Sequence, residues 1–152
     1  MKIAIIYSSV HHKNTEKIVQ TVAQRIPDIT LIDSTKVVMK DLQSFDLIGI
    51  ASGIYFGKFH KSILKFMRDN LPEHKNVFFI YTCGSSNPNY TNHIQEIVNE
   101  KKCAVLGTYS CFGFDTFGPF KIVGGIQKGH PDEKEISDAV DFVFKIINQM
   151  TN

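Results

Sequence analysis

Three short apolar runs that lack alternating polar residues constrain the fold of this 152-residue chain more than any other feature. They are Ile3–Tyr7, Leu47–Ala51 and Val77–Tyr81. A strand with one face in water alternates apolar and polar side chains, whereas a strand covered on both faces does not. The runs therefore predict central strands of a parallel sheet that is covered by helices on both faces.

Two further segments have strand character, and helical patterns separate the strands. The predicted strands are Ile3–Tyr7, Ile29–Asp33, Phe45–Ser52, Val77–Thr82 and Cys103–Cys111. Apolar residues at helical spacing predict helices around residues 18–26, 63–71, 94–98 and 136–147. This alternation implies right-handed crossovers and predicts an α/β fold, a three-layer, doubly wound sheet of five parallel strands.

Two pairs of residues have the spacing of a capping box, which marks the start of a helix. The pairs are Asn92 with Gln95 and Asp132 with Glu135, the second preceded by Pro131. We therefore expect helices to begin just after Asn92 and just after Asp132.

Size and composition limit the class of protein. With 43% hydrophobic and 21% charged residues, the chain fits a single domain spanning residues 1–152. Only five apolar residues stand between Lys2 and Ser8, fewer than a signal peptide needs, and no run has the length of a membrane span, so we expect a cytoplasmic protein without membrane insertion. Its three cysteines lack C-x-x-C spacing, which argues against a disulfide framework or a metal site. The net charge of +2, without a basic block, argues against nucleic acid as a partner.

The loop after the first strand has the residue types of a phosphate site. Ser8–Asn14 supplies hydroxyl and imidazole donors and leads into a helical pattern that starts near Thr15. A helix N-terminus at the end of a strand favours negative charge. No glycine occurs before Gly49, which excludes a Walker-A loop and a G-x-G-x-x-G turn. We therefore expect hydroxyl groups to bind part of the phosphate.

The loops after the third and fourth strands predict walls for a flat ligand. Their sequences, Ser52–Lys58 and Thr82–Tyr90, combine hydroxyl groups, aromatic rings and the glycines Gly53, Gly57 and Gly84. Glycine lets backbone approach a planar group closely. In doubly wound sheets, ligands bind at the carboxyl ends of the strands. A planar, phosphorylated ligand fits the three loops together.

These residues resemble the flavodoxin family over essentially the whole chain. In that family the first loop ends in Gly-Asn-Thr; Asn14 and Thr15 match, whereas Lys13 replaces the glycine and the loop has one extra residue. The resemblance implies the strand order 2-1-3-4-5 and FMN as cofactor, with its phosphate on the first loop. It implies cofactor contacts at Ser8, Ser9, His11, His12, Lys13, Asn14 and Thr15, at Ser52, Gly53, Ile54, Tyr55, Phe56, Gly57 and Lys58, at Thr82, Cys83, Gly84 and Ser85, and at Phe112. Which of His11 and His12 faces the phosphate stays open.

The second loop supports two functions within this family. Phe56-Gly57 stands where the family has an aromatic residue and a glycine whose peptide bonds to the flavin, so Gly57 is the expected redox hinge. The resemblance implies an electron-transfer flavoprotein of the carrier type. The run Gly53–His60 is similar to flavodoxin-fold protoporphyrinogen oxidases that use menaquinone. The alternative is therefore an FMN-dependent oxidoreductase that acts on a quinone, a porphyrinogen or a similar acidic, aromatic substrate.

The segment from Phe112 to His130 follows the last strand and shows no evident helix or strand pattern. Connections of this length are typically lids or disordered segments, and its four phenylalanines argue against disorder. We expect a flap over the flavin side. Cys83 has no adjacent base or resolving cysteine in the sequence, so we expect an inert thiol.

Charges on the strand-end loops are mainly positive. Lys13, Lys58, Lys61, Lys121 and Lys128 lie on or near these loops. They suggest a partner that is an acidic redox protein or a small organic electron acceptor. We also expect the ammonium group of Lys58 to raise the reduction potential of a bound flavin. A receiver domain shares the predicted topology, but it needs acidic residues where Ser8, Ser9 and Ser52 stand.

Overall fold

The computed structural model describes residues 1–10, 12–116 and 118–152, which contain six strands and four α-helices. The strands are β1 (Ile3–Ser8), β2 (Ile29–Asp33), β3 (Leu47–Tyr55), β4 (Lys58–Phe59), β5 (Asn76–Cys83) and β6 (Ala104–Phe112). The helices are α1 (Asn14–Arg25), α2 (Lys61–Asn70), α3 (Asn92–Glu100) and α4 (Glu133–Thr151). A short 3-10 helix spans Gly118–Lys121.

The five long strands form one parallel sheet in the order β2-β1-β3-β5-β6. They correspond to the five predicted strands, so the predicted α/β fold and the order 2-1-3-4-5 are confirmed. The two-residue strand β4 is an addition and pairs antiparallel with the end of β3. The order reverses at β1, which places the carboxyl ends of β1 and β3 side by side at the switch point.

Apolar side chains pack on both faces of the sheet and form two cores. One core joins the sheet to α1 and α4, for example through Val22 and Val143. The other joins it to α2 and α3, for example through Met67 and Ile97. All six residues of β1 are buried, which explains the missing alternation in its sequence. The strand that carries the first loop is therefore fixed by packing on both sides.

The two predicted capping boxes have different outcomes. The box at Asp132 and Glu135 is present, with both reciprocal hydrogen bonds at the start of α4. The box at Asn92 is wrong, because Thr91 is the N-cap of α3 and makes no side-chain capping bond. The Gln95 side-chain amide instead donates to Asn99 Oδ1 at 2.8 Å. None of the described helices combines the length and apolar character required to cross a bilayer.

Candidate functional site

A narrow pocket opens where β1, β3, β5 and β6 end. Its lining is formed by Ser9, Asn14, Thr15, Gly53, Ile54, Tyr55, Thr82, Cys83, Gly84, Gly113, Phe114 and Asp115. All but the last three are candidate residues from the sequence. The three predicted loops therefore meet at one place, as strands that end at the same edge of a sheet require.

The start of α1 forms the polar end of this pocket. Thr15 and Asn14 lie in the first turn of α1, where backbone N–H groups lack partners within the helix. The Thr15 and Thr82 hydroxyl oxygens are 3.1 Å apart, which joins the first loop to the third. Asn14 Nδ2 donates to the Phe114 carbonyl oxygen at 2.9 Å. Hydroxyl groups and a helix N-terminus thus converge on a position suited to an anion.

Ser8 ends β1 directly beside this pocket and carries a buried hydroxyl group. Within the described part of the chain, Ser8 Oγ is the one buried side-chain nitrogen or oxygen atom without a hydrogen-bond partner. Such a group costs roughly 1–3 kcal/mol of stability. A hydroxyl retained at this cost beside a polar pocket indicates a ligand that completes its hydrogen bonds.

The first loop enters α1 through two residues in the left-handed conformation. His12 has φ 55° and Lys13 has φ 54°, so Lys13 adopts the backbone conformation that favours glycine. His12 Nε2 lies 2.9 Å from Thr116 Oγ1, and its ring centroid lies 4.3 Å from that of Phe114. His12 therefore contacts the segment after β6. His11 lies outside the described residues, so its predicted role stays a prediction.

The second loop is a tight hairpin between β3 and β4. Tyr55 pairs with Lys58, and the two residues between them, Phe56 and Gly57, have φ of 52° and 75°. Two-residue hairpin loops of this kind need positive φ at both central positions. The Tyr55 hydroxyl accepts from the Val10 backbone N–H at 3.2 Å, which ties the hairpin to the first loop.

Residues of this hairpin differ in their relation to the pocket. Ile54 and Tyr55 line it, whereas the Phe56 side chain is 82% exposed at the tip. The Ser52 hydroxyl is buried, donates to the Gly53 carbonyl at 2.6 Å and accepts from the His60 N–H at 2.9 Å. Ser52 therefore holds the end of β3 in place.

The third loop depends on the small size of Gly84. A Cβ atom at this position would lie 2.5 Å from Asp115 Oδ2, so any larger residue displaces the Asp115 carboxylate. The Gly84 carbonyl accepts from Gln127 Nε2 at 3.3 Å. Ser85 is exposed, and its hydroxyl oxygen lies 3.3 Å from that of Tyr90.

The segment after β6, which we call the flap (residues 113–116 and 118–131), folds back over the pocket. Asp115 and Ile126 exchange two backbone hydrogen bonds of 2.9 and 2.7 Å. His130 Nδ1 contacts Glu135 Oε1 at the start of α4, and the Glu135 carboxylate also accepts from the Phe112 N–H at 3.1 Å. The two sides of the flap thus pair at Asp115 and Ile126, and contacts at its two ends tie it to Glu135.

Burial controls the chemistry of the cysteines near the pocket. Burial raises the pKa of Cys83 to about 11, and the carboxylates of Asp115 and Glu135 add to the shift. Burial likewise raises the pKa of Cys111 to about 12. All three cysteines are free thiols in the structure. A protonated Cys83 is a poor nucleophile at neutral pH, as expected for an inert thiol.

The cofactor contacts of all the candidate residues stay predictions, and several of these residues lie outside the lining of the pocket. They are Ser8, His12, Lys13, Ser52, Phe56, Gly57, Lys58, Ser85 and Phe112. The sequence reasoning did not single out Gly113 and Asp115 as contacts, although it predicted the flap that carries them. The glycines at positions 53 and 84 did not indicate that the Asp115 carboxylate fills the space beside Gly84.

Comparison with known proteins identifies the family. The model of the flavodoxin domain matches residues 4–113, which include all three pocket loops. The chain belongs to the flavodoxin-domain family. The predicted family is confirmed, and the flavodoxin domain accounts for the sheet order found above.

Three similar proteins extend this result for the flavodoxin domain. An uncharacterised protein of Methanocaldococcus jannaschii is 41% identical over 150 residues, covering 97% of this chain and 99% of that protein. A flavodoxin from the domain Archaea is 16% identical, with a TM-score of 0.71 and 99% of each chain covered. A Lys-to-Gly variant of a Fusobacterium nucleatum flavodoxin, solved with flavin mononucleotide, is 17% identical, with a TM-score of 0.69 and coverage of 97% and 96%. The two solved structures share the fold of this chain.

Proposed function

We propose that this protein binds FMN in the pocket at the strand ends and carries electrons between redox partners. The observation that carries the proposal is the buried, unpartnered Ser8 hydroxyl at the end of β1, next to the open first turn of α1. An anionic phosphate supplies the acceptor that this hydroxyl and the helix N–H groups lack. Family membership and the FMN-bound relative support the same cofactor.

The lining divides into a phosphate end and a ring end. Asn14 and Thr15 of the lining, together with Ser8 next to the lining at the end of β1, would hold the phosphate, whereas Gly53–Tyr55 and Thr82–Gly84 would hold the ring. Bound FMN supplies reversible one- and two-electron transfer. The chain supplies orientation and electrostatics, and the flap residues Phe114 and Asp115 border the pocket.

A carrier is favoured over an enzyme by the groups that face the pocket. Cys83 is held as a neutral thiol, so it offers little nucleophilic catalysis. A carrier of this kind acts as a single cytoplasmic domain on redox proteins, and the lysines of its loops favour acidic ones.

The alternative is an FMN-dependent oxidoreductase, and one cleft favours it. The cleft, with a volume of about 440 Å³, lies against the outer side of the hairpin and includes Phe56, Lys58 and Lys61. An aromatic ring beside two ammonium groups suits a quinone, a porphyrinogen or a similar aromatic acid. Multiple turnovers of such a substrate by the FMN-loaded protein would establish this function in place of the carrier.

Titration of the purified protein with FMN and with riboflavin tests the proposed function. We expect the protein to quench FMN fluorescence at one equivalent and to leave riboflavin largely free, because only FMN carries the phosphate. Thr15→Val should weaken FMN binding about tenfold, which corresponds to about 1.4 kcal/mol. Thr21→Val is the matched control, because the Thr21 hydroxyl bonds within α1 to the Lys17 carbonyl. Absence of FMN quenching would overturn the proposal.

A further inference from the structure

A second cleft lies on the other side of the Asn14–Phe114 contact, between the start of α1 and the end of the flap. Its volume is about 460 Å³, within the 300–1,000 Å³ typical of small-molecule sites. Asn14 and Phe114 line both this cleft and the cofactor pocket, and their 2.9 Å hydrogen bond separates the two. Hence a ligand in this cleft would not occupy the cofactor pocket.

The cleft is lined by basic side chains from two distant parts of the chain. Lys17 comes from α1, Lys128 and His130 from the flap, and His12 from the first loop. Among the described residues, its lining contains no aspartate or glutamate. The cleft therefore concentrates positive charge, although the net charge of the whole chain is only +2.

Within the described part of the molecule, neither Lys17 nor Lys128 forms an ion pair. The lysine ion pairs of this part involve other lysines. Glu16, the acidic neighbour of Lys17 in the sequence, pairs with Lys13, whose Nζ lies 3.9 Å from Glu16 Oε2. His130 faces the Glu135 carboxylate of α4, and Asp132 lies close to the same pair. Two lysines thus remain to bind an external anion.

We propose that this cleft binds a small polyanion with phosphate or carboxylate groups, separately from the cofactor. Lys17 of α1 and Lys128 of the flap both line the cleft and neutralise the ligand as point charges. The Phe114 ring and Pro131 give the cleft an apolar wall suited to the organic part of such a ligand. This site goes beyond the proposed function, since it requires neither electron transfer nor FMN.

Calorimetric titration of the FMN-loaded protein with pyrophosphate tests the site. We expect one pyrophosphate per chain, and at least about tenfold weaker binding to the double variant Lys17→Gln/Lys128→Gln. The control is Lys102→Gln/Lys145→Gln, which removes the same charge at the turn before β6 and in the second half of α4. This control should bind pyrophosphate as the wild type does.

Other outcomes decide the source of the ligand or overturn the site. Equal binding of citrate would support a site that reads charge alone, whereas failure of citrate would assign the site to phosphate compounds. No pyrophosphate binding, loss of binding on FMN loading, or equal weakening in both double variants would overturn the proposal. If FMN itself fails to bind, the proposed function fails, and the same comparison of variants on the unloaded protein still decides the cleft.

Discussion

At the residue scale, the buried hydroxyl group of Ser8 lowers the stability of the unloaded protein but strengthens the proposed binding of FMN. Its buried hydroxyl has no partner among the described residues, so Ser8→Ala should stabilise the unloaded protein by about 1 kcal/mol. The same change should weaken FMN binding about tenfold, because the hydroxyl finds its partner only in the complex. Thermal unfolding without FMN and fluorescence titration with FMN measure the two effects. Ser110→Ala, on the exposed part of β6, is the control. The assignment would be contradicted if Ser8→Ala lowered both the stability without FMN and the affinity for FMN, or raised both.

Lys13 shows how a non-glycine residue can take the place of a glycine. Its φ of 54° and ψ of 32° lie in the left-handed region, which is unfavourable for a residue with a Cβ atom. Its ion pair with Glu16 lies at the surface and contributes little to stability. Lys13→Gly should therefore raise the free energy of unfolding by about 1 kcal/mol. Lys17→Gly, inside α1, should lower it by a similar amount. Denaturant unfolding compares the two variants, and a loss of stability in Lys13→Gly would contradict the strain.

At the element scale, the flap is anchored to α4 through a titratable contact. The hydrogen bond with Glu135 raises the pKa of His130 above its ordinary value of 6.5, and Glu135 and Asp132 add favourable charge. A raised pKa in the folded state means that this contribution is complete below pH 6.5 and disappears as the pH rises through the folded value. His130→Gln should thus lower the melting temperature more at pH 6 than at pH 9.

Glu135→Gln is the matched test of this anchor. Glutamine keeps the capping-box geometry at the start of α4 but removes the carboxylate that faces His130. We expect Glu135→Gln to abolish the same pH dependence of the melting temperature. The double variant Glu135→Gln/His130→Gln should then show no further pH-dependent change. A difference between wild type and His130→Gln that is constant from pH 6 to pH 9 would contradict the anchor.

At the scale of the whole molecule, the sequence determines more of the sheet than of the flap. The non-alternating run of β1 indicates burial on both faces, which is a local pattern, so the strands themselves were predictable, whereas their order followed from the family resemblance. The Asn14–Phe114 bond joins residues 100 positions apart, and no periodicity encodes it. The capping box at Asn92 failed because Thr91 already precedes the first turn, a shift of one residue that spacing alone does not resolve.

The charge distribution of the molecule gives the last prediction. Lys58 lies beside the hairpin tip, in a cleft whose described lining contains Lys61 but no carboxylate. Reduction adds negative charge to a flavin, and a nearby ammonium group stabilises that charge. Lys58→Ala should therefore lower the midpoint potential of the FMN-loaded protein by on the order of 40 mV for one electron, which corresponds to roughly 1 kcal/mol. Because Lys145 lies in the second half of α4, Lys145→Ala should leave the potential unchanged, so a spectroelectrochemical titration separates a local effect from net charge. Equal shifts in the two variants, or none in Lys58→Ala, would show that the potential is set by other groups.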